Sequence, residues 1–278
     1  MIANAQNVNV NPGAGSYPTV KAAFDAINAG THIGSITINI TGSTTETASA
    51  ILNASGTGAS SYTSISISPS GGVPRTISGN IAGYFIDLNG ADNVTIDGLN
   101  TGGNSLTISN TATGTVSTIR FIADASNNTI TNCTIQGSVT DGTSGVVKFS
   151  TGTVTGNDNN DINHCSITAA GTNLPIKGIY SEGTSATIDN SNNTLNTNNI
   201  SDYFNATAST VGIHLSFNNS SWLITNNKLF QTATRLYTTG AAHYGIYLSG
   251  SSYNVTGNII GFANSSGTGT TNMVGNSV

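Results

Sequence analysis

The amino-acid sequence predicts an all-β protein, a single-stranded parallel β-helix whose N-terminal end is closed by an amphipathic helix. Three observations carry the prediction. Six times between Val94 and Val255 one phrase recurs: an aliphatic residue, a tight polar turn, and a second aliphatic residue five positions on. The pairs are Val94/Leu99, Ile130/Ile135, Ile162/Ile167, Leu195/Ile200, Ile224/Leu229 and Val255/Ile260. They lie about 32 residues apart, a solenoid period, and carry strand-forming residues without helical periodicity. Three positions after each first aliphatic stand Asp97, Cys133, Cys165, Asn198, Asn227 and Asn258. Coils stacked at ~4.8 Å would align these small residues at one sharp bend, with Asn amides bonding along the stack. The third observation is an opening strand in each coil: Ile86-Asp87-Leu88, Ile119-Arg120-Phe121, Val147-Lys148-Phe149, Ile179-Tyr180-Ser181, Ile213-His214-Leu215 and Ile246-Tyr247-Leu248.

The elements follow in order along one expected domain, residues 1–278. Over residues 16–30, Val20, Ala23, Phe24 and Ile27 keep the spacing of an amphipathic helix, Pro18 fits a first turn, and Gly30 fits the position past a helix end. Its apolar face is expected to cover the first coil, because a solenoid must seal its terminal core. Residues 36–88 hold irregular first coils, with alternating strands at Ile36 to Ile40 and from Ile65, and a polar loop from Gly42 to Ser61. Regular coils run over residues 86–262. The Asn-type turn keeps its length while the other corners vary, so inserted loops belong to those two. A tail, residues 263–278, follows without a second amphipathic helix to seal that end, which leaves it to fold over the core, continue into further chain, or meet another molecule.

Charged residues are only 7% of the chain, while 36% are apolar and recur in register, enough to bury a core. A net charge of −5 with seven dispersed bases leaves no electrostatic footprint for nucleic acid or an anionic membrane. No apolar run is long enough to span a bilayer. Ala3-Asn4-Ala5 before Gln6 has the small-x-small form of a signal-peptidase site, which points to export. The only two cysteines, Cys133 and Cys165, share one column, where parallel side chains would strain a disulfide, so stacked free thiols are expected over a bridge.

The run Tyr17-Pro-Thr-Val-Lys-Ala-Ala-Phe-Asp-Ala-Ile-Asn, followed by the Ile36 strand and Thr45-Glu46, resembles the opening of pectin-lyase-like right-handed β-helix proteins. Gly245-Ile-Tyr-Leu-Ser-Gly-Ser-Ser-Tyr-Asn-Val-Thr-Gly-Asn-Ile-Ile260 resembles the repeats of exported carbohydrate-active proteins, and the whole chain is similar to β-helix modules of secreted Bacteroidetes-type surface proteins. The resemblance implies a right-handed coil and a secreted or cell-surface location. It implies no activity, because the pectinesterase strand and the polygalacturonase signatures are absent and no catalytic residue carries over.

Within each opening strand the middle residue should point outward. Stacking then lines up Asp87, Arg120, Lys148, Tyr180, His214 and Tyr247 as one exposed stripe, suited to a polysaccharide or cell-surface glycan through aromatic faces and charge-assisted hydrogen bonds. A plain solvated sheet face is the competing reading. A lyase or hydrolase would need more acids than Asp87 and Asp124 offer nearby. No cofactor is expected. Calcium stays open through Asn157-Asp158-Asn-Asn-Asp161, which lacks the Gly and distal Glu of a calcium loop and reads as a polar corner, while His164 beside Cys165 reads as a turn residue. Thr129-Ile-Thr131 and Thr151-Gly-Thr-Val-Thr155 raise an ice-binding Thr array, against which the outward column of Asp, Arg, Lys, Tyr, His and Tyr argues. The partners left open are a glycan, further domains of a longer parent chain, and further copies of the chain joined end to end as a filament.

Overall fold

Residues 6–275 are described by the computed structural model, which is a parallel β-solenoid of about 8 turns with one helix near its N-terminus. The candidate signal-peptidase motif, Ala3 to Ala5, lies outside the described residues. Three parallel sheets of nine, eight and seven strands form the walls. A typical turn runs from Thr129–Thr131 in sheet 1 to Cys133–Gly137 in sheet 2, then to Val147–Phe149 in sheet 3, before Asp161–Asn163 re-enters sheet 1 one rung higher. Aliphatic residues alternate inward and stack in register, as in Ile96, Ile130, Ile162, Leu195, Ile224 and Val255. Between sheets the core is filled by such columns and by rings, with Phe121 stacked on Phe149 at 4.5 Å and Trp222 edge-on to Phe149.

The helix, α1 (Val20–Asn28), is shorter than the expected residues 16–30 because Thr19 caps it, its side chain accepting from the Ala22 N–H. At its other end Gly30, with φ +74°, donates to Ile27 O while Thr31 donates to Ala26 O, a Schellman arrangement that only a residue tolerant of positive φ closes cheaply. Val20, Ala23, Phe24 and Ile27 are buried over the first rung, as the spacing requires. The supposed loop from Gly42 to Ser61 contains two strands of that rung, Thr44–Glu46 and Ala50–Asn53. An inward carboxylate at Glu46 disguised the first of them. It is buried because the N–H groups of Val20 and Lys21, at 2.9 and 3.0 Å, and the Thr44 hydroxyl surround it, so one side chain ties the helix N-terminus to the sheet below.

The bend column forms as expected from Cys133 to Asn258. Each of Asn198 and Asn227 donates its amide to the side-chain oxygen of the next Asn, at 3.0 and 2.9 Å, and to the main-chain oxygen of the rung below, Ile162 O and Leu195 O, at 2.8 Å each. Cys165 and Cys133 are free thiols that occupy the same place, pointing at Ile130 O and Ile96 O at 3.5 and 3.8 Å. Asp97 does not belong to this column. Ile96, rather than Val94, pairs with Ile130, so Asp97 lies beside Thr131 on the outer face, accepting from Leu99 N and Asn132 Nδ2. Residues 98–105 are inserted at this corner, and Leu106 takes the position opposite Cys133. The tight corner is therefore constant only from Ile130 onward, and Leu99, with φ +55°, is a loop residue rather than a core one. A second column, two residues before Ile130, Ile162 and Leu195, links Asn128 to Asn160 and Asn160 to Asn193 at 2.9 and 3.1 Å.

Candidate functional site

Sheet 3 carries the expected stripe on its outer face. The register sets Asp87 beside Arg120, Arg120 beside Lys148, then Tyr180, His214 and Tyr247 on successive strands. Alignment was legible, but exposure along the whole row was not. Asp87 and Tyr180 are only 4% and 3% exposed, whereas Tyr247 is 45% exposed. The reason is a second outward column flanking the first. Tyr84 stands beside Ser117, and Lys177, Val211 and Tyr244 stand in one row. Strict alternation would turn these residues inward, but in the last three strands Gly178, Gly212 and Gly245 take the intervening place. A Cβ there would meet Ile200, Leu229 and Ile260 of the core at 2.6, 2.4 and 2.7 Å. The repeated Gly-Ile dipeptide of those coils was the available signal for the shift.

The lower half of the row is locked on itself. Arg120 grips Asp87 through Nε and a terminal nitrogen at 2.8 and 2.7 Å, and its guanidinium lies 3.4 Å from the Tyr84 ring centre. The Lys148 ammonium donates to Thr143 O at 2.9 Å. Tyr180 donates to Glu182, and burial together with that carboxylate holds its hydroxyl well above the usual phenol range.

Toward the C-terminal end the row opens into a groove of about 520 Å³ lined by Thr140, Gly142, Ile176, Lys177, Ala208, Ser209, Val211, His214, Tyr244 and Tyr247. Rings form its shelf: His214 is edge-on to Tyr180 and to Tyr247 at 5.3 and 5.1 Å, and Tyr244 meets Tyr247 at 5.2 Å. Lys177 is the one charged residue of the lining. Its ammonium donates to Gly142 O and lies 4.3 Å from the Tyr180 ring centre, and no carboxylate is within ion-pair distance among the described residues. Burial draws its pKa down to about 8, against the pull of Asp141 and Glu182. His214 is lowered to about 4 by burial and by Lys177, and its buried Nδ1 has no partner within the protein. Such a site offers aromatic faces, one cation and one unsatisfied ring nitrogen, and no acidic residue lines it.

The other sequence candidates resolve into architecture. Asn157 and Asn160 are buried with their amides bonded to Asn190 and Asn193, and Asp158 accepts from Ser191, so that stretch is a corner of the coil. His164, with φ +52°, turns the chain. Thr129 and Thr131 face outward from sheet 1, in columns shared with Asp161, Asn163, Thr194 and Asn196, not from the face of the charged stripe. Residues 153–156 wrap Asp124, whose carboxylate accepts four backbone N–H groups and is held down at about 2. Among the described residues no set of three His, Cys, Asp or Glu is grouped to hold a metal ion, and among them no helix is long and apolar enough to cross a membrane. No protein-family profile matches the chain, and no curated protein matches it.

Proposed function

We propose that the chain is an exported β-helix module of the pectin-lyase-like kind, acting at the cell surface or outside it, and that it binds a glycan in the groove on sheet 3. The observation that supports this reading is the Tyr244 and Tyr247 shelf beside a buried Lys177 and an unpartnered His214 nitrogen. A sugar ring presents an apolar face to stack on a phenol and hydroxyls or an acidic substituent to meet donors at its edge. Tyr180 is too deeply buried to test this cleanly. Tyr244→Ala and Tyr247→Ala, at 39% and 45% exposure, remove the shelf with little expected loss of stability. Retention on a glycan array and titration with the best binder should fall about tenfold for each ring. Unchanged retention by the double variant overturns the assignment. Product release from the same glycans, assayed in parallel, separates binding from cleavage.

A further inference from the structure

Charge is distributed unevenly around the groove on sheet 3. Lys177, the one charged residue of the lining, is only 5% exposed and stands on Lys177–Ser181, a strand hydrogen-bonded to neighbours on both sides. Its ammonium carries three N–H groups; Gly142 O takes one, and the Tyr180 ring centre lies 4.3 Å away. No second acceptor meets it among the described residues. The buried Nδ1 of His214, in the same lining, has no partner within the protein either. Outside the lining the charges balance. Arg120 is closed on Asp87. Lys148 donates to Thr143 O, and the Asp141 and Glu182 carboxylates act on Lys177 from beyond ion-pair distance. Two lysines and two acids make this neighbourhood neutral in sum, within a chain of net charge −5.

We propose that the groove selects a glycan that is neutral along its length except for one anionic substituent, and that Lys177 receives that substituent. The inference rests on the glycan reading above and narrows it. Taking an ammonium out of water is costly unless opposite charge or hydrogen bonds compensate, and one carbonyl and one ring compensate only in part. An anionic oxygen of the ligand would take up the remaining donors where little water weakens the attraction. His214 Nδ1, in the tautomer that carries its proton there, can donate to a neighbouring ligand oxygen. A wholly neutral glycan would bury the ammonium further and supply no counter-charge. A charge on every sugar is disfavoured by the same arrangement, because groups beyond the first meet a surface that is neutral in sum and repels polyanions at a distance. The carboxylate of one acidic sugar and a sulfate ester share this chemistry, since an ammonium acts as a point charge and needs no particular fork geometry.

A glycan array carrying neutral oligosaccharides, the same backbones with one sulfate ester or one sialic acid, and oligogalacturonates tests the proposal. The singly charged members should be retained about tenfold or more above both their neutral counterparts and the oligogalacturonates, and comparing the two substituents separates sulfate from carboxylate. Lys177→Met should remove that advantage and leave neutral members within about twofold, whereas Lys21→Gln on α1, the same change in net charge, should alter nothing. Calorimetry in buffers of different ionisation enthalpy adds a readout. At a pH of about 8.5 binding should take up a fraction of a proton, because an anion favours the charged form of an amine that burial holds at about 8. The other titratable groups facing Lys177 are Asp141, Lys148, Tyr180, Glu182, His214, Tyr244 and Tyr247, and loss of the uptake in Lys177→Met assigns it. Should that variant lose its strand circular dichroism, the comparison of ligands on the unaltered chain decides alone. Neutral backbones held as tightly as their charged forms, a preference for oligogalacturonates, or indifference to Lys177→Met overturns the inference, while the Tyr244 and Tyr247 variants still report on the glycan reading. Retention of no saccharide at all overturns both.

Discussion

Asn227 offers the sharpest test of what holds one rung to the next. Its side-chain oxygen accepts from the Asn198 backbone N–H and from the Asn198 amide, both at 3.0 Å, and its own amide donates to Leu195 O and to Asn258 Oδ1 at 2.8 and 2.9 Å. The site is fully buried, so Asn227→Ala leaves the Asn198 N–H without a partner and removes three further amide bonds. An orphaned buried donor costs about 1–3 kcal/mol and each neutral bond about 1, giving roughly 4–6 kcal/mol in total. Asn258→Ala deletes the same kinds of bond at a partly exposed position where water can replace them, and should cost about 1 kcal/mol. Urea unfolding of both variants, with amide exchange at Asn198, measures the difference. Asn227→Asp adds a pH signature. Its carboxylate would keep the bonds from Asn198 but face Leu195 O and Asn258 Oδ1 as a third acceptor, so its folded pKa rises above the unfolded value of about 3.9. Its stability is then full below that pH and is lost as pH climbs through the raised folded value. Equal losses for Asn227→Ala and Asn258→Ala, or a loss below about 1 kcal/mol for the former, would refute the ladder as a source of stability.

Two further outcomes follow from the same geometry. Cys133→Asn with Cys165→Asn extends the ladder into the thiol column, where both sulfurs already point at the carbonyls an amide would bond, and should keep or raise the urea midpoint; a fall of more than about 1 kcal/mol would show that the thiols do more than substitute for amides. His243 stacks flat on Tyr203 at 4.9 Å, accepts or donates at Thr210 Oγ1 at 2.8 Å, and is held near pKa 4 by burial and by Arg235. Because its folded value lies below the ordinary 6.5, unfolding takes up the proton first, and stability should decline as pH falls from about 6.5 toward 4, a slope that His243→Gln flattens. Asp124, depressed to about 2, keeps its contribution through that window and loses it only below its ordinary 3.8.

The repeat could be read from residues because burial imposes it. An aliphatic side chain at each inward position, with Asn or a small residue at the bend, is a local pattern that a stacked coil must preserve. What escaped reading was set by neighbours that the local pattern does not contain. Ile96 and Val94 are both aliphatic and two apart, so only pairing with Ile130 decides which one is in register, and with it the place of Asp97. Glu46 looked like a loop residue because its partners, the Val20 and Lys21 N–H groups, lie more than twenty positions away. Lys177 and Tyr244 looked inward by alternation, and Gly178 and Gly245 turned them out. The groove is legible only when both corrections to strict alternation and loop position are made together.

The scarcity of charge has a structural reason of its own. Stacking puts equivalent residues of adjacent rungs about 5 Å apart, so a charged column would set like charges at close range along the whole wall. Five of the acids are met by donors from the next rung: Ser126 N on Asp92, the 153–156 loop on Asp124, Ser191 on Asp158, Ser220 on Asp189, and Thr232 with Arg235 on Asp202. Even so, burial and the neighbouring Asp189 and Asp124 raise the Asp158 carboxyl, the residual cost of placing acids on successive turns. Asn, Ser and Thr supply directional bonds along the same axis without that repulsion, which is why this wall is built from amides and hydroxyls. Lys177, like Lys148, meets a backbone carbonyl with no carboxylate in ion-pair range among the described residues, but it alone of the two is almost fully buried. A buried cation held by one carbonyl and one ring, beside the unpartnered His214 Nδ1, is the polar feature on which the proposed glycan binding rests.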